Sequence, residues 1–230
     1  ITRIIDKIKV EKKSSAILVK KNTFKKYSFH LQNNKNLLIR ENCINLILSK
    51  LSSKDIIVST TGKTSREVYE LKYNNNYLSP SFYTIGGMGH CNQISLGISN
   101  NTSKRVFCFD GDGSSLMHLG SLGITGMNAN DNFHHIIFNN GSHESVGGQP
   151  TIANKLDFRL LSKSLGYKKY ILLENDVTFN NWIKTINRDN MGPSLIEIKV
   201  KSYSRPNLGR PNETPLQQKV SFLNKFNDLK

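Results

Sequence analysis

The chain has no long apolar run. No segment of its 230 residues approaches the roughly 20 consecutive apolar residues that a spanning helix requires, which argues against a membrane protein. Cysteine is scarce. Cys43, Cys91 and Cys108 stand far apart without a CxxC pair, so neither a disulfide framework nor a zinc site is suggested, and a reducing, cytoplasmic setting fits. An initiating methionine is missing: Ile1 comes first and no charged-then-apolar signal segment follows, so the chain reads as a processed or trimmed piece. Acidic residues are few, 17 against 32 Lys and Arg, which gives a net charge of +15. Such an excess raises the question of nucleic acid, but its distribution answers against that partner. Nine basic residues fall in residues 1 to 30, whereas residues 86 to 153 hold only Lys104 and Arg105. The charge lies outside the stretch richest in motifs and reads as a solvated face.

What is present is ordinary for a globular chain: 37% hydrophobic and 21% charged residues, at a length that buries one good core. Ile1, Ile4, Ile5 and Ile8 recur at helical spacing, and Ala16 to Lys20 reads as a short buried strand. A polar Asn/Lys-rich connector follows over residues 22 to 36, with a domain boundary near residue 31. Residues 1 to 30 therefore read as the tail end of a preceding domain, and residues 31 to 230 as the main one. Ile44, Ile47, Leu48 and Leu51 mark a helix. Strands are then expected at 56–59, 82–85, 106–109, 135–138, 171–173 and 195–200, separated by helices from about Thr64, Gly89 and Ser114 and over 158–165 and 179–186. This alternation predicts a doubly wound α/β sheet, mainly parallel, with helices on both faces. The runs VFCF and IIF lack polar alternation, as expected of central strands covered on both sides.

Three polar segments, TTGKTS, FDGDGSS and FNNGSHES, come at or just past expected strand ends, where open α/β sheets bind ligands. Gly111-Asp112-Gly113-Ser114 follows a strand and opens a helix, so backbone N–H groups face an anion such as phosphate. The carboxylate of Asp112 beside that place makes sense if a hard cation, magnesium by preference, bridges protein and phosphate oxygens. An ordinary glycine-containing turn with Asp112 as helix cap would explain GDG alone equally well. The 25 residues that follow leave room for one helix and one strand, after which Asn139 and Asn140 emerge with amide oxygens suited to the same cation. Gly62-Lys63-Thr64 imitates the end of a P-loop, but the glycine needed five positions earlier is Ile57. Asp110, Asp112 and Ser114 begin like an EF-hand loop, yet Ser115 occupies the place of its turn glycine.

GDG followed after about 25 residues by NN resembles the cofactor motif of thiamine diphosphate enzymes. The resemblance implies that Asp112 and Asn140 bind Mg²⁺ with the Ser142 carbonyl, and that Gly111, Gly113 and Ser114 hold the diphosphate. It also places Thr61, Gly62 and Thr64 beside that diphosphate, Thr64 doubling as a helix cap. The Gly86 carbonyl would receive the aminopyrimidine, and Met88 would be the apolar wedge that bends the cofactor. The segments TTGKTSRE, GGMGHCNQISLGI, NNGSHESVGGQPT and LGRPNETP are similar to phosphonopyruvate decarboxylase and, less closely, to the second subunit of sulfopyruvate decarboxylase. Gly87 departs from the serine expected there.

That family implies loss of CO₂ from an anionic 2-oxo acid, phosphonopyruvate by preference, to leave phosphonoacetaldehyde. Sulfopyruvate, or a silent homologue that binds the cofactor without turnover, are the alternatives. His90 and His143 follow glycine-rich turns and are the candidates for proton transfer, while His118, His134 and His135 read as structural. Lys63, Arg66, Arg205 and Arg210 are the candidate partners of the phosphonate. The family activates its cofactor with a glutamate from a pyrimidine-binding domain, which residues 1 to 30 are too short to contain. The resemblance therefore implies a further domain or subunit, a site at an interface and at least a dimer.

Overall fold

The computed structural model describes residues 1–24, 37–188 and 191–227, and the chain divides into two compact units, residues 1–30 and 31–230. In the first unit, helix α1 (Thr2–Glu11) follows the spacing of the isoleucines and buries none of its residues. Ala16 to Lys20 is not the buried strand expected: it forms no regular element and Leu18 is fully exposed. An extended segment needs a hydrogen-bonded neighbour, and none is present among the described residues of this unit. Most of the connector expected over 22–36 lies outside the described residues.

The second unit is built on six parallel strands: β1 (Ile56–Ser59), β2 (Ser81–Tyr83), β3 (Val106–Gly111), β4 (Phe133–Asn139), β7 (Lys169–Leu173) and β8 (Ser194–Lys199). Their order across the sheet is β2-β1-β3-β4-β8-β7. A separate two-stranded hairpin pairs β5 (Ser142–His143) with β6 (Gln149–Pro150). Alternate residues feed two cores. Ile57, Phe107, Phe109, Ile136, Phe138, Ile196 and Ile198 join one cluster with Ile44, Ile47 and Leu48 of α2 (Arg40–Lys50) and Phe179 and Trp182 of α8 (Asp176–Ile183). Ile56, Val58, Val106, Cys108, Ile137 and Leu195 face the other way, against Cys91 of α4 (Cys91–Ser99), Leu122 of α6 (Leu119–Asn128) and Phe158 of α7 (Phe158–Ser164). Residues 56–59, 106–109 and 133–139 are buried throughout, so burial on both faces explains their unbroken apolar runs.

Three elements differ from the expectation. The helix after β3 is two helices, α5 (Asp112–Met117) and α6, because the chain breaks at His118, with φ −127° and ψ 50°. The cap of α3 (Lys63–Asn75) is Gly62 at φ +98°, a conformation suited to glycine, so Thr64 lies inside the helix rather than capping it. A last helix, α9 (Pro215–Asn227), packs Phe222 against Phe82 with ring centroids 5.5 Å apart.

The strand order fixes where a ligand can enter. From β1 the chain moves outward to β2 and then crosses to the opposite side of β1 to form β3. Neighbouring connections therefore leave β1 and β3 on opposite faces and open a crevice at their carboxyl ends.

Candidate active site

The crevice is an open cleft lined by residues that follow three adjacent strands. Thr60, Thr61, Lys63 and Thr64 come from the end of β1, Gly111, Asp112, Gly113 and Ser114 from the end of β3, and Asn140, Ser142, His143 and Glu144 from beyond β4. Met88, Arg40, Phe138, Ser145 and Val146 complete it. Two bonds fasten the ends of β1 and β3 and the loop after β2 together: the Thr60 hydroxyl donates to Ser114 Oγ at 2.9 Å, and the Gly89 amide donates to the same oxygen at 3.1 Å.

Asp112 is 2% exposed. Its carboxylate accepts from the Thr151 hydroxyl and, at 3.4 Å, from the Asn140 amide, and no ion pair reaches it among the described residues. Burial pushes its pKa up, against the lowering effect of those donors. Asn140 Oδ1 accepts from the Ser142 amide at 2.9 Å, and Gly141 turns the chain between them at φ +64°. The buried Ser142 hydroxyl has no hydrogen-bond partner among the described residues. Because α5 has only six residues, its dipole is small, and an anion placed at Gly113 would meet individual N–H groups more than a helix dipole.

Under this floor, Asp110 is tied to its neighbours. Its carboxylate accepts from Ser115 Oγ at 2.9 Å and from its own strand end at Gly111 N, and lies 3.3 Å from His135 Nε2. His135 Nδ1 meets Tyr167 Oη at 3.1 Å. Burial alone would raise the Asp110 pKa, but the His135 contact and charge outweigh it and lower it. The group holds the strand end that presents Asp112.

The expected site residues do not all converge. Thr61, Lys63, Thr64, Met88, Gly111, Asp112, Gly113, Ser114, Asn140, Ser142 and His143 line the cleft. Gly62 caps α3 beside it, where an added Cβ would meet Ser145 Oγ at 3.5 Å. Gly113 is required by contact rather than by conformation, since a Cβ there would stand 2.6 Å from the His143 ring. Gly86 (φ +78°) is exposed and outside the lining. His90 faces a separate depression with Phe82, Thr84 and Ile85, and its ring centroid lies 4.8 Å from that of His118. Arg66 does not line the cleft, Arg210 is exposed, and Arg205 is committed to ion pairs with Glu41, at 2.8 Å, and Glu70.

Sequence reasoning missed Arg40, Glu144 and Thr151. Arg40 gives Nε and Nη2 to Glu67 at 2.7 and 2.8 Å and Nη1 to Glu144 at 3.1 Å. It carries no local motif and arrives through the packing of α2. Glu144 and Thr151 lie inside the segment NNGSHESVGGQPT, where their types alone suggested no role.

Residues 59–198 match the family described as thiamine pyrophosphate enzyme, C-terminal TPP binding domain. The chain belongs to this family. It is 34% identical over 171 residues to a phosphonopyruvate decarboxylase of Streptomyces viridochromogenes, covering 74% of this chain and 42% of that protein. It is 28% identical over 178 residues to sulfopyruvate decarboxylase subunit beta of Methanococcus maripaludis, covering 77% of this chain and 92% of that one. A solved thiamine diphosphate-dependent 4-hydroxybenzoylformate decarboxylase of Rhodococcus jostii superposes with a TM-score of 0.58 at 17% identity, over 77% of this chain and 35% of that one. The last shows the fold. The chain thus spans less than half the length of the phosphonopyruvate decarboxylase it matches.

The residues present fit such a cofactor. A buried carboxylate without a cationic partner among the described residues, an asparagine oxygen and the backbone at Ser142 would offer a donor set of hard oxygens, as Mg²⁺ requires. Gly113 has no side chain to stand between its backbone N–H and a ligand.

Proposed function

We propose that this chain is the diphosphate-binding part of a decarboxylase that converts 3-phosphonopyruvate to phosphonoacetaldehyde and CO₂. The observation that carries the reading is Asp112, a buried carboxylate held without an ion-pair partner among the described residues at the sheet's switch point, flanked by Asn140 and Ser142. Asp112, Asn140 and the Ser142 carbonyl would hold Mg²⁺, and Gly111, Gly113, Ser114, Thr61, Gly62 and Thr64 the diphosphate. Gly86 and Met88 would receive the rest of the cofactor. Thiamine diphosphate supplies, when bound, the electron sink that accepts the bonding pair as CO₂ leaves.

The protein supplies position and protons. The C1–C2 bond breaks, its electron pair stays with C2, and one proton must reach that carbon. His143 is the imidazole in the cleft lining and would deliver it, whereas His90 points into another depression. Lys63 lines the cleft and enters no ion pair among the described residues, so its ammonium is the cation left for the phosphonate. Arg40 is spent on Glu67 and Glu144, and Arg205 on Glu41 and Glu70. The activating glutamate would come from a pyrimidine-binding domain or subunit, and the working unit would be an oligomer in the cytoplasm.

Phosphonopyruvate is put first because two phosphonopyruvate decarboxylases are matched at 34% over 171 and 36% over 170 residues, whereas sulfopyruvate decarboxylase subunits match at 37% over only 116 residues or at 28% over 178. The test is aldehyde release by the intact protein with thiamine diphosphate and Mg²⁺, comparing phosphonopyruvate, sulfopyruvate and pyruvate. Phosphonopyruvate should be turned over fastest, and Asp112→Ala should abolish Mg²⁺-dependent cofactor binding while the protein still folds. Faster release from sulfopyruvate would replace the substrate, and cofactor binding without release from any of them would make this a silent homologue. Unchanged binding in Asp112→Ala would sink the site itself.

A further inference from the structure

An asparagine can serve a cation only through its oxygen, and the two ends of a carboxamide have nearly the same shape, so something must decide which end faces the ion. Asn140 Nδ2 donates to Glu144 Oε2 at 3.3 Å. Glu144 is itself fastened from two further sides: Arg40 Nη1 donates to Oε2 at 3.1 Å, and the Ser204 hydroxyl donates to Oε1. Arg40 is in turn 4% exposed and locked to Glu67 by two bonds, and its Nη2 also donates to Ser204 Oγ at 2.9 Å. A carboxylate accepts and does not donate, so it tolerates only the NH₂ end of Asn140.

We infer that Glu144, clamped by Arg40 and Ser204, is a positioning residue that sets the Asn140 carboxamide with its oxygen toward the Mg²⁺ of the diphosphate site. The inference rests on the site proposed above. It gives the Arg40–Glu67–Glu144 group, which lies beside the cleft yet offers no free cation to a substrate, a definite task. Partners in this outer position typically change metal affinity by roughly 10–100-fold when removed.

The test is a double-mutant cycle on the intact protein, read as the Mg²⁺ concentration that half-saturates cofactor binding in calorimetric titrations at fixed thiamine diphosphate. Glu144→Gln keeps the shape but accepts either end of the carboxamide, and it should raise that concentration about tenfold or more. In an Asn140→Asp background both ends are oxygens and nothing remains to orient. There, Glu144→Gln should cause no further loss. Equal losses in both backgrounds would reduce Glu144 to a structural support, and no loss in the native background would end its role altogether; either overturns the inference. Ser204→Ala, which removes one clamp on Glu144, takes the place of Glu144→Gln in the same cycle if that variant does not fold. Asp112→Ala separates the two levels: if it leaves Mg²⁺ dependence intact, the proposed site fails and the inference with it, whereas a loss there with additive Glu144 effects overturns the inference alone.

Discussion

Burial, with the Lys225 ammonium nearby, lowers the Lys72 pKa from 10.5 to about 7. Its Nζ donates to Ser81 Oγ at 2.8 Å, and among the described residues it enters no ion pair. A base whose folded pKa lies below its unfolded one binds fewer protons when folded, so this group makes stability rise with pH between about 7 and 10.5. Below that window the cost of charging it in place is present in full. Lys72→Met should remove this contribution: denaturant unfolding of wild type and variant at pH 6, 8 and 10 should show the native protein gaining on the variant as pH rises. At this scale the sequence was readable where spacing carried meaning. Asp112 and Asn140 stood out because the interval between them matches a helix and a strand. Arg40 was hidden because its task depends on Glu67, Glu144 and Ser204, which are distant in the chain and brought together by packing.

The helices and strands show where contact overrides local preference. Gly126 in α6 faces Leu165, and a Cβ there would stand 2.1 Å from the Leu165 carbonyl oxygen, a backbone atom that cannot swing aside. Gly120, in the same helix, has nothing within 4 Å of an added Cβ. Gly126→Ala should therefore cost roughly 1–3 kcal/mol through overpacking, whereas Gly120→Ala should be neutral or stabilise by about 0.5–1 kcal/mol through helix propensity. Equilibrium unfolding of the pair checks both signs in one element. The central strands β1, β3, β4 and β8 were legible because each joins a parallel ladder with both faces covered, so that apolar runs and strands coincide, whereas the edge strands β2 and β7 are only partly buried. Ala16 to Lys20 shows the limit of that signal, an apolar run without a partner and hence without a strand. The break at His118 and the Gly62 cap depend on where neighbouring elements press, which periodicity does not record. Helix α9 went unread although Phe222 and Phe226 mark one of its faces, because its polar residues dominate the composition.

For the molecule as a whole, the surface beside the cleft matters as much as the cleft. Met88, Leu116, Met117, Val146, Pro150 and Ile152 line an open, mostly apolar depression that shares Met88, Gly113, His143 and Val146 with the cofactor cleft. Met117 is 60% exposed and Val146 70%. Under the proposed function this is the face a pyrimidine-binding domain would cover. Met117→Glu should then lower aldehyde release by the intact protein at least about tenfold, as hot-spot losses at such a contact do, with the thermal unfolding of the chain itself unchanged. Equal turnover by the variant would place that domain elsewhere. Fold class and the order of elements followed from alternation alone, but this face could not, since exposure is a property of the folded surface.

Asp112 receives bonds from both ends of one segment, the Asn140 amide at its start and the Thr151 hydroxyl at its close, while the hairpin of β5 and β6 spans the interval. The carboxylate is thus the clasp of a closed loop. If Mg²⁺ is held at Asp112 as proposed, it would compete with both fastenings at once, so ion binding and the order of the whole loop would be linked through a single carboxylate.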